Sequence, residues 1–120
     1  MIKGIGIDAV AISRFAEWHA KSLHELKKIF TDQEIEYCLS NPQKSAERFA
    51  VRFAAKEAFL KALQSQSDQK LSFFTVAKKV EIIRSHTGAP RLIFCDDSSL
   101  LCHLSLTHTD DIAIAYIIIS

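Results

Sequence analysis

The sequence holds little material for covalent cross-links or thiolate metal sites. It has three cysteines among 120 residues, Cys38, Cys95 and Cys102, and no two of them share a Cys-x-x-Cys spacing. An odd number without paired spacing argues against both a disulfide framework and a zinc site. We therefore expect the protein to reside in a reducing compartment, the cytoplasm.

An excess of charge of one sign is also absent. The formal net charge is +1, which lacks the broad basic footprint of a duplex-binding protein. We therefore expect no nucleic-acid partner, and any anionic ligand must be met by a local cluster of basic residues.

Long hydrophobic runs are missing as well. The longest, Ile112 to Ile119, is far shorter than the roughly 20 residues that span a bilayer as a helix. At the N-terminus, Gly4, Gly6 and Asp8 interrupt the apolar stretch that a signal peptide requires. We expect neither a membrane span nor export.

What is present is typical of one globular domain covering residues 1–120. Hydrophobic residues make up 48% and charged residues 24%, and the length leaves little room for a second core. Helical patterns come first and strand patterns later. This order predicts an α+β fold, with an antiparallel sheet against a long central helix.

The predicted elements follow from periodicity, turn residues and caps. Helical spacing predicts one or two helices over Ala11–Lys28, one from Asp32 to before Asn41 behind a Thr31–Glu34 capping box, and a long one over Ser45–Leu63. Strands are predicted over Ile2–Asp8, Lys79–Ser85, Arg91–Cys95, Leu101–His108 and Ile112–Ile119. In the first strand, Gly4 and Gly6 share a face with Asp8, so another backbone, a helix or a ligand can approach that carboxylate closely.

Charged residues fall in two rows on the long helix. Arg48, Arg52 and Lys56 are spaced so that they share one face, where like charges oppose helix formation unless an anion lies against them. A phosphate-rich ligand would supply that anion. Alternatively, the three side chains simply form a solvated face. Glu57 and Lys61 form the second row, either an ordinary helix ion pair or a site for a metal ion and a phosphate.

Asp8 and His108 each allow two interpretations. A carboxylate at the end of a strand can bind a metal ion or cap the following helix. His108 shares strand parity with Leu104 and Leu106, so it can be a core histidine with its hydrogen bonds satisfied or a ligand contact. Spacing alone leaves both open.

Three segments together resemble the holo-[acyl-carrier-protein] synthase family, the short form of the 4'-phosphopantetheinyl transferases. They are GIGIDAVAISRF at 4–15, RFAVRFAAKEAFLKAL at 48–63 and SLTHTDDIAIA at 105–115. Their order and separation also fit, and FAAKEAFLKA is the most specific part. The resemblance covers nearly the whole chain and implies the family's α+β fold.

The resemblance also implies roles for individual residues. Asp8 and Glu57 would bind Mg²⁺ together with the diphosphate of coenzyme A, and Lys61 would lie against that diphosphate. The remaining contacts would be Arg48, Arg52, Pro90 and His108 with coenzyme A, and Arg14 with the acyl carrier protein. Magnesium suits such a set because it is often held by one or two carboxylates plus substrate phosphates.

The implied reaction moves 4'-phosphopantetheine from coenzyme A to a serine of an apo acyl carrier protein, for fatty acid biosynthesis, and releases adenosine 3',5'-bisphosphate. A metal-bound water, a carboxylate and His108 can each serve as the base. A chain this short builds half of the groove, so the resemblance implies a homotrimer with sites between subunits. Ile112, Ile114, Ile117 and Ile119 can face such a contact or a private core.

Two alternatives and several departures accompany this interpretation. A noncatalytic coenzyme A or carrier-binding module and a metal-dependent nuclease would use similar residues. Lys21, Lys27 and Lys28 can extend the carrier dock beside Arg14 or merely aid solubility. The departures from the family pattern are Leu60, Ala89, Thr107 and the segment Gln64 to Ser67, which we expect to affect coenzyme A contacts rather than chemistry.

Overall fold

The computed structural model describes residues 1–68 and 70–120, and it confirms the α+β prediction. The helices are α1 (Leu23–Leu26), α2 (Asp32–Leu39), α3 (Ser45–Gln64) and α4 (Phe73–Ala77). The strands are β1 (Gly4–Ala11), β2 (Val80–Arg84), β3 (Pro90–Phe94), β4 (Cys102–His108) and β5 (Ile112–Ile119). Within the described residues, no helix is long and apolar enough to cross a bilayer.

The strands form two antiparallel sheets. β5 lies between β1 and β4 in a three-stranded sheet, and β2 pairs with β3 as the predicted hairpin. Helix α3 packs along one face of the larger sheet, mainly against β1 and β5. The prediction of an antiparallel sheet against a long central helix is therefore confirmed.

Gly4 and Gly6 explain how closely β1 approaches α3. A Cβ atom on Gly6 would overlap with the carbonyl oxygen of Ala58, and one on Gly4 with the carbonyl oxygen of Ala62. Only glycine fits where two backbones are this close. The glycines therefore bring Asp8, on the same strand, next to α3.

The larger sheet has a second face that α3 does not cover. Along β5, Ile117 and Ile119 are buried in the core, whereas Ile112 is 44% exposed and Tyr116 is 37% exposed. Ile7 pairs with Tyr116 across the strands and is 55% exposed. We call the surface formed by Ile5, Ile7, Ile112, Ile114, Tyr116 and Ile118 the outer sheet face.

The prediction of one or two helices over Ala11–Lys28 is wrong. The chain instead forms two short 3-10 helices, Ile12–Phe15 and Trp18–Ala20, followed by the four-residue α1. The breaks bring the Phe15 and Trp18 rings to 4.5 Å between centroids, and Phe15 reaches Phe53 of α3 at 5.3 Å. Aromatic packing against α3 thus overrides the regular helix that local spacing favours.

Helix α2 begins as predicted. The Thr31 hydroxyl accepts a hydrogen bond from the backbone N–H of Glu34, and the Glu34 carboxylate accepts one from the N–H of Thr31. The same carboxylate also accepts from the N–H of Ile82 at 2.9 Å. The cap therefore anchors α2 to β2 as well as starting the helix.

Lys56 is the most buried charged group of the chain's core. Its ammonium lies 2.6 Å from Oε1 of Glu34 and 2.7 to 2.8 Å from the carbonyl oxygens of Ile29, Ala77 and Val80. Burial lowers the pKa of Lys56, and the Glu34 carboxylate acts in the opposite direction. Lys56 is therefore neither a phosphate contact nor part of a solvated face, and both interpretations of its place beside Arg52 are wrong.

Replacing Lys56 tests this arrangement. Lys56→Met leaves Glu34 and three carbonyl oxygens buried without their cation, so we expect the free energy of unfolding to fall by about 3 to 5 kcal/mol. Urea denaturation at one fixed protein concentration measures it. The control is Lys79→Met, which removes an exposed pair with Asp96 and should leave the denaturation midpoint unchanged. Equal midpoints for both variants would contradict the prediction.

Candidate active site

Asp8 and Lys61 meet where β1 passes α3. The Lys61 ammonium donates to Oδ1 of Asp8 at 3.0 Å and to the carbonyl oxygen of Ile7 at 2.9 Å. The Asp8 side chain is 15% exposed, and its Oδ2 atom is buried with no hydrogen-bond partner. The 3-10 helix that follows β1, Ile12–Phe15, has Ala11 as its N-cap and no side-chain cap, so the capping interpretation of Asp8 is wrong.

Glu57 stands one helical turn before Lys61 and is half-buried. Burial raises the pKa of Glu57 and the Asp8 carboxylate raises it further, whereas Lys61 and Arg14 lower it. The ion-pair partner of Lys61 is Asp8, so the pairing of Glu57 with Lys61 as an ordinary helix pair is wrong. We call Asp8, Glu57 and Lys61 the carboxylate cluster.

The carboxylate cluster fits a magnesium ion. A buried carboxylate oxygen without a partner costs free energy unless something binds it, and Asp8 Oδ2 is such an atom. In residues 1–68 and 70–120 no group of three or more His, Cys, Asp or Glu side chains is arranged to hold a metal. Two carboxylates with further oxygens from substrate and water are the usual surroundings of Mg²⁺.

A cavity of about 300 Å³ lies at the other end of α3. Arg48, Arg52, Pro90 and His108, all predicted as ligand contacts, line it together. The other lining residues are Tyr37, Lys44, Glu47, Val51, Ile82, Arg84, Leu106 and Thr107. We call this space the arginine cavity.

The two predicted arginines of this cavity are held differently. Arg48 donates through Nη1 to the carbonyl oxygen of Tyr37 at 2.7 Å and to the Ser40 hydroxyl at 3.0 Å. Arg52 is 5% exposed, and its Nε is buried without a partner. Burial lowers the pKa of Arg52. An anion in the cavity would satisfy guanidinium hydrogen-bond donors that the protein leaves free.

His108 does not lie in the core. Its Nε2 is 3.0 Å from Oε1 of Glu47, and 45% of its side chain is exposed. It stands at the end of β4, beyond the half-buried Leu104 and Leu106. The interpretation of His108 as a core histidine is therefore wrong, and its ring faces the arginine cavity.

Arg84 and Tyr37 also line the arginine cavity and were not among the predicted contacts. Arg84 is paired with Pro90 across the hairpin. Because Pro90 was predicted as a contact, an assigned hairpin register would have pointed to Arg84 too. Nothing in the sequence pointed to Tyr37 as a contact, because a single tyrosine on a helix with an N-terminal cap is common.

A second, more apolar groove of about 610 Å³ lies next to Glu57. Trp18, Phe53, Phe73 and Phe74 provide its apolar walls, and the predicted Arg14, with Lys21 and Lys28, lines it as well. Lys27 instead pairs with Asp32. We call this space the Phe74 groove.

The carboxylate cluster and the arginine cavity lie on opposite sides of α3. Arg48 is about 14 Å from Glu57 along the helix axis, and 100° per residue places the two side chains in opposite directions. Arg52 and Lys61 are related in the same way. The fold therefore groups the predicted residues into two sets but does not bring the sets together within one chain.

The four departures from the family pattern lie in different surroundings. Leu60 is 8% exposed and belongs to the core, and α3 continues through Gln64. Thr107 lines the arginine cavity, whereas Ala89 is exposed in the hairpin turn. Among these departures, Thr107 is thus the one that lines the arginine cavity.

The chain is similar in sequence to proteins of one family. The family model described as the 4'-phosphopantetheinyl transferase superfamily matches residues 4–117. The holo-[acyl-carrier-protein] synthase of Geotalea daltonii is 36% identical, with 99% of this chain and 98% of the relative covered. The enzyme of the same name from Bacillus subtilis is 36% identical over 99% of this chain and 96% of its own.

A solved structure shows the same fold. The holo-(acyl-carrier-protein) synthase of Bacillus anthracis, in complex with CoA (3',5'-ADP), superposes with a TM-score of 0.79 at 29% identity, covering 99% of this chain and 96% of that one. Sequence and fold therefore agree: the chain belongs to the 4'-phosphopantetheinyl transferase superfamily, in the family of the holo-[acyl-carrier-protein] synthases.

Proposed function

We propose that this protein transfers 4'-phosphopantetheine from coenzyme A to a serine of an apo acyl carrier protein, which would produce the holo-[acyl-carrier-protein] that the names of its relatives mention. The observation that carries the proposal is the carboxylate cluster, where a partner-free oxygen of Asp8 lies beside Lys61. Carboxylates and an ammonium in contact suit a metal-bound diphosphate. The Phe74 groove borders the same cluster through Glu57.

Asp8 and Glu57 would hold the magnesium ion. When bound, the ion would neutralise charge on the diphosphate of coenzyme A. The Asp8 carboxylate is already oriented by Lys61. Burial and, after it, the neighbouring Asp8 carboxylate raise the pKa of Glu57, so a divalent cation would stabilise the charged form of Glu57. Both features prepare the cluster for a divalent ion.

Lys61 would stabilise the transition state of the transfer. The serine oxygen forms a bond to the phosphorus next to pantetheine, and the phosphoanhydride bond breaks. Adenosine 3',5'-bisphosphate leaves with the bonding electron pair, and the serine proton passes to a base. Negative charge gathers on the bridging oxygen, where an ammonium such as that of Lys61 is most effective. The side chain is 52% exposed and can therefore reach a ligand.

The nucleotide end of coenzyme A would occupy the arginine cavity of a second copy. The two residue sets lie on opposite sides of α3, so one chain holds only half of each site. The outer sheet face supplies the contact surface, because Ile5, Ile7 and Tyr116 expose large apolar areas there. Together these observations support the homotrimer with sites between subunits.

The carrier protein would dock at the Phe74 groove. Carrier proteins are typically acidic, and Arg14, Lys21 and Lys28 supply positive charge around apolar walls. The Arg14 guanidinium lies 4.6 Å from the centroid of the Phe53 ring, which fixes it beside the groove. We also propose a cytoplasmic location and a role in fatty acid biosynthesis, where coenzyme A and the carrier meet.

Intact-mass spectrometry of an apo acyl carrier protein tests the function. With this protein, coenzyme A and Mg²⁺, we expect the carrier to gain the mass of one phosphopantetheine, and we expect chelator to abolish the gain. Asp8→Asn and Glu57→Gln should each lower the rate at least about 100-fold, because each removes a charged metal ligand. The control Asp32→Asn changes an exposed aspartate paired with Lys27 and should keep full activity. Activity that survives chelator would contradict the metal site; no mass gain with coenzyme A still bound would indicate a noncatalytic module.

Steady-state kinetics of Lys61→Met separates catalysis from binding. If Lys61 acts on the charge of the transition state, kcat should fall about 100-fold while KM for coenzyme A changes little. Circular dichroism checks that the fold is kept. A rise in KM at unchanged kcat would instead make Lys61 a binding group.

Mixing two inactive variants tests whether sites lie between copies. One variant is Asp8→Asn, and the other carries Arg48→Gln with His108→Gln. Co-expressed, they should recover up to about a quarter of normal activity, because some interfaces then join an intact carboxylate cluster to an intact arginine cavity. Each variant assayed alone is the control. No recovery in a mixed assembly would show that each chain carries its own complete site.

A further inference from the structure

One aromatic ring stands among three guanidinium groups at the arginine cavity. The guanidinium carbons of Arg48, Arg52 and Arg84 lie 3.9, 4.3 and 5.5 Å from the centroid of the Tyr37 ring. All three distances are within the range in which a cation is attracted to the electron-rich face of an aromatic ring. The ring therefore contacts every arginine of the cavity.

These arginines lack acidic partners. In the described parts of the chain, 1–68 and 70–120, no ion pair involves Arg48, Arg52 or Arg84. Like charges gathered in this way repel one another, more strongly where Arg52 is buried. The Tyr37 ring is thus one group that offsets their repulsion while the cavity is free of anion, and the Glu34 carboxylate also attracts Arg52.

The position of Tyr37 is itself fixed from the core. It lies on α2 one turn after Glu34, whose carboxylate is bound to Lys56 and to the N–H of Ile82. The capping box at Thr31 holds the beginning of the same helix. The ring therefore extends from a helix that a buried ion pair anchors, and it acts as a rigid platform.

If the Tyr37 ring were removed, the arginine side chains could move into an adjacent space. A neighbouring cavity of about 280 Å³ is lined by Tyr37, Arg52 and Arg84 as well, together with Gln33, Glu34 and Ile82. A small side chain at position 37 would join the two spaces. Arg52 and Arg84 could then turn toward Glu34 and away from the arginine cavity.

We propose that Tyr37 is a positioning residue for the nucleotide end of coenzyme A, and that Arg84 is a third guanidinium contact there. This inference rests on the proposed function for the identity of the ligand. The ring holds the guanidiniums in the arginine cavity before the ligand arrives, so that binding does not have to order them. The phenol hydroxyl has no part in this, and phenylalanine should replace tyrosine.

The experiment uses adenosine 3',5'-bisphosphate as the binding probe, measured by calorimetry, and coenzyme A in the transfer assay. For Tyr37→Leu we expect Kd of the probe and KM of coenzyme A to rise together by about tenfold, from the loss of two close cation–ring contacts. We expect kcat at saturating coenzyme A to stay within about twofold. Tyr37→Phe should match the unsubstituted protein, and Arg84→Gln should raise Kd and KM without changing kcat. Leu39→Ala, on the exposed side of α2, is the control for a shortened side chain on that helix.

Each outcome decides a different point. Unchanged Kd and KM in a folded Tyr37→Leu would overturn the inference, and so would a fall in kcat and melting temperature that Tyr37→Phe does not rescue, since that indicates a merely structural role. If the unsubstituted protein binds the bisphosphate but transfers nothing, the proposed function fails while the binding series still decides the role of Tyr37. If it transfers phosphopantetheine but does not bind the bisphosphate, the inference about Tyr37 and Arg84 falls while the proposed function stands.

Discussion

The buried Lys56–Glu34 pair is the interaction on which the rest of the structure depends. Four oxygen atoms from three other elements and a connecting segment surround the Lys56 ammonium, so α2, α4 and β2 are all tied to α3. A buried charge is tolerated only with such complete pairing. The same contact sets the position of Tyr37 and thereby of the arginines around it. A buried ion pair that stabilises the core is thus connected to the arginine cavity through one turn of α2.

Helix α3 carries both sets of predicted functional residues and also separates them. One side carries Glu57 and Lys61 toward β1, and the opposite side carries Arg48 and Arg52 toward the hairpin. Because opposite sides of one helix face away from each other, the proposed function would take the two halves of a complete site from two chains. In such an assembly, another copy would cover the exposed isoleucines and Tyr116 of the outer sheet face and remove their apolar surface from water.

The charged row of α3 shows where spacing is informative and where it is not. Spacing correctly placed Arg48, Arg52 and Lys56 on one side of the helix. It carried no information on depth, and Lys56 proved to be inside the core while Arg48 borders an open cavity. Depth depends on α2 and β2, which are distant in sequence. His108 illustrates the same limit, because its strand parity was correct but β4 projects beyond the core at that point.

The sequence by itself determined the order of helices and antiparallel strands, the capping box of α2, the room for a close approach to β1 at Gly4 and Gly6, and the family. These properties follow from local periodicity, from residues with special backbone freedom and from motifs. Only the tertiary structure decided that Lys56 is a core group, that His108 pairs with Glu47, and that Tyr37 gathers Arg48, Arg52 and Arg84. The physical reason is that burial and pairing between charged groups depend on which distant elements pack together, and local patterns do not specify that.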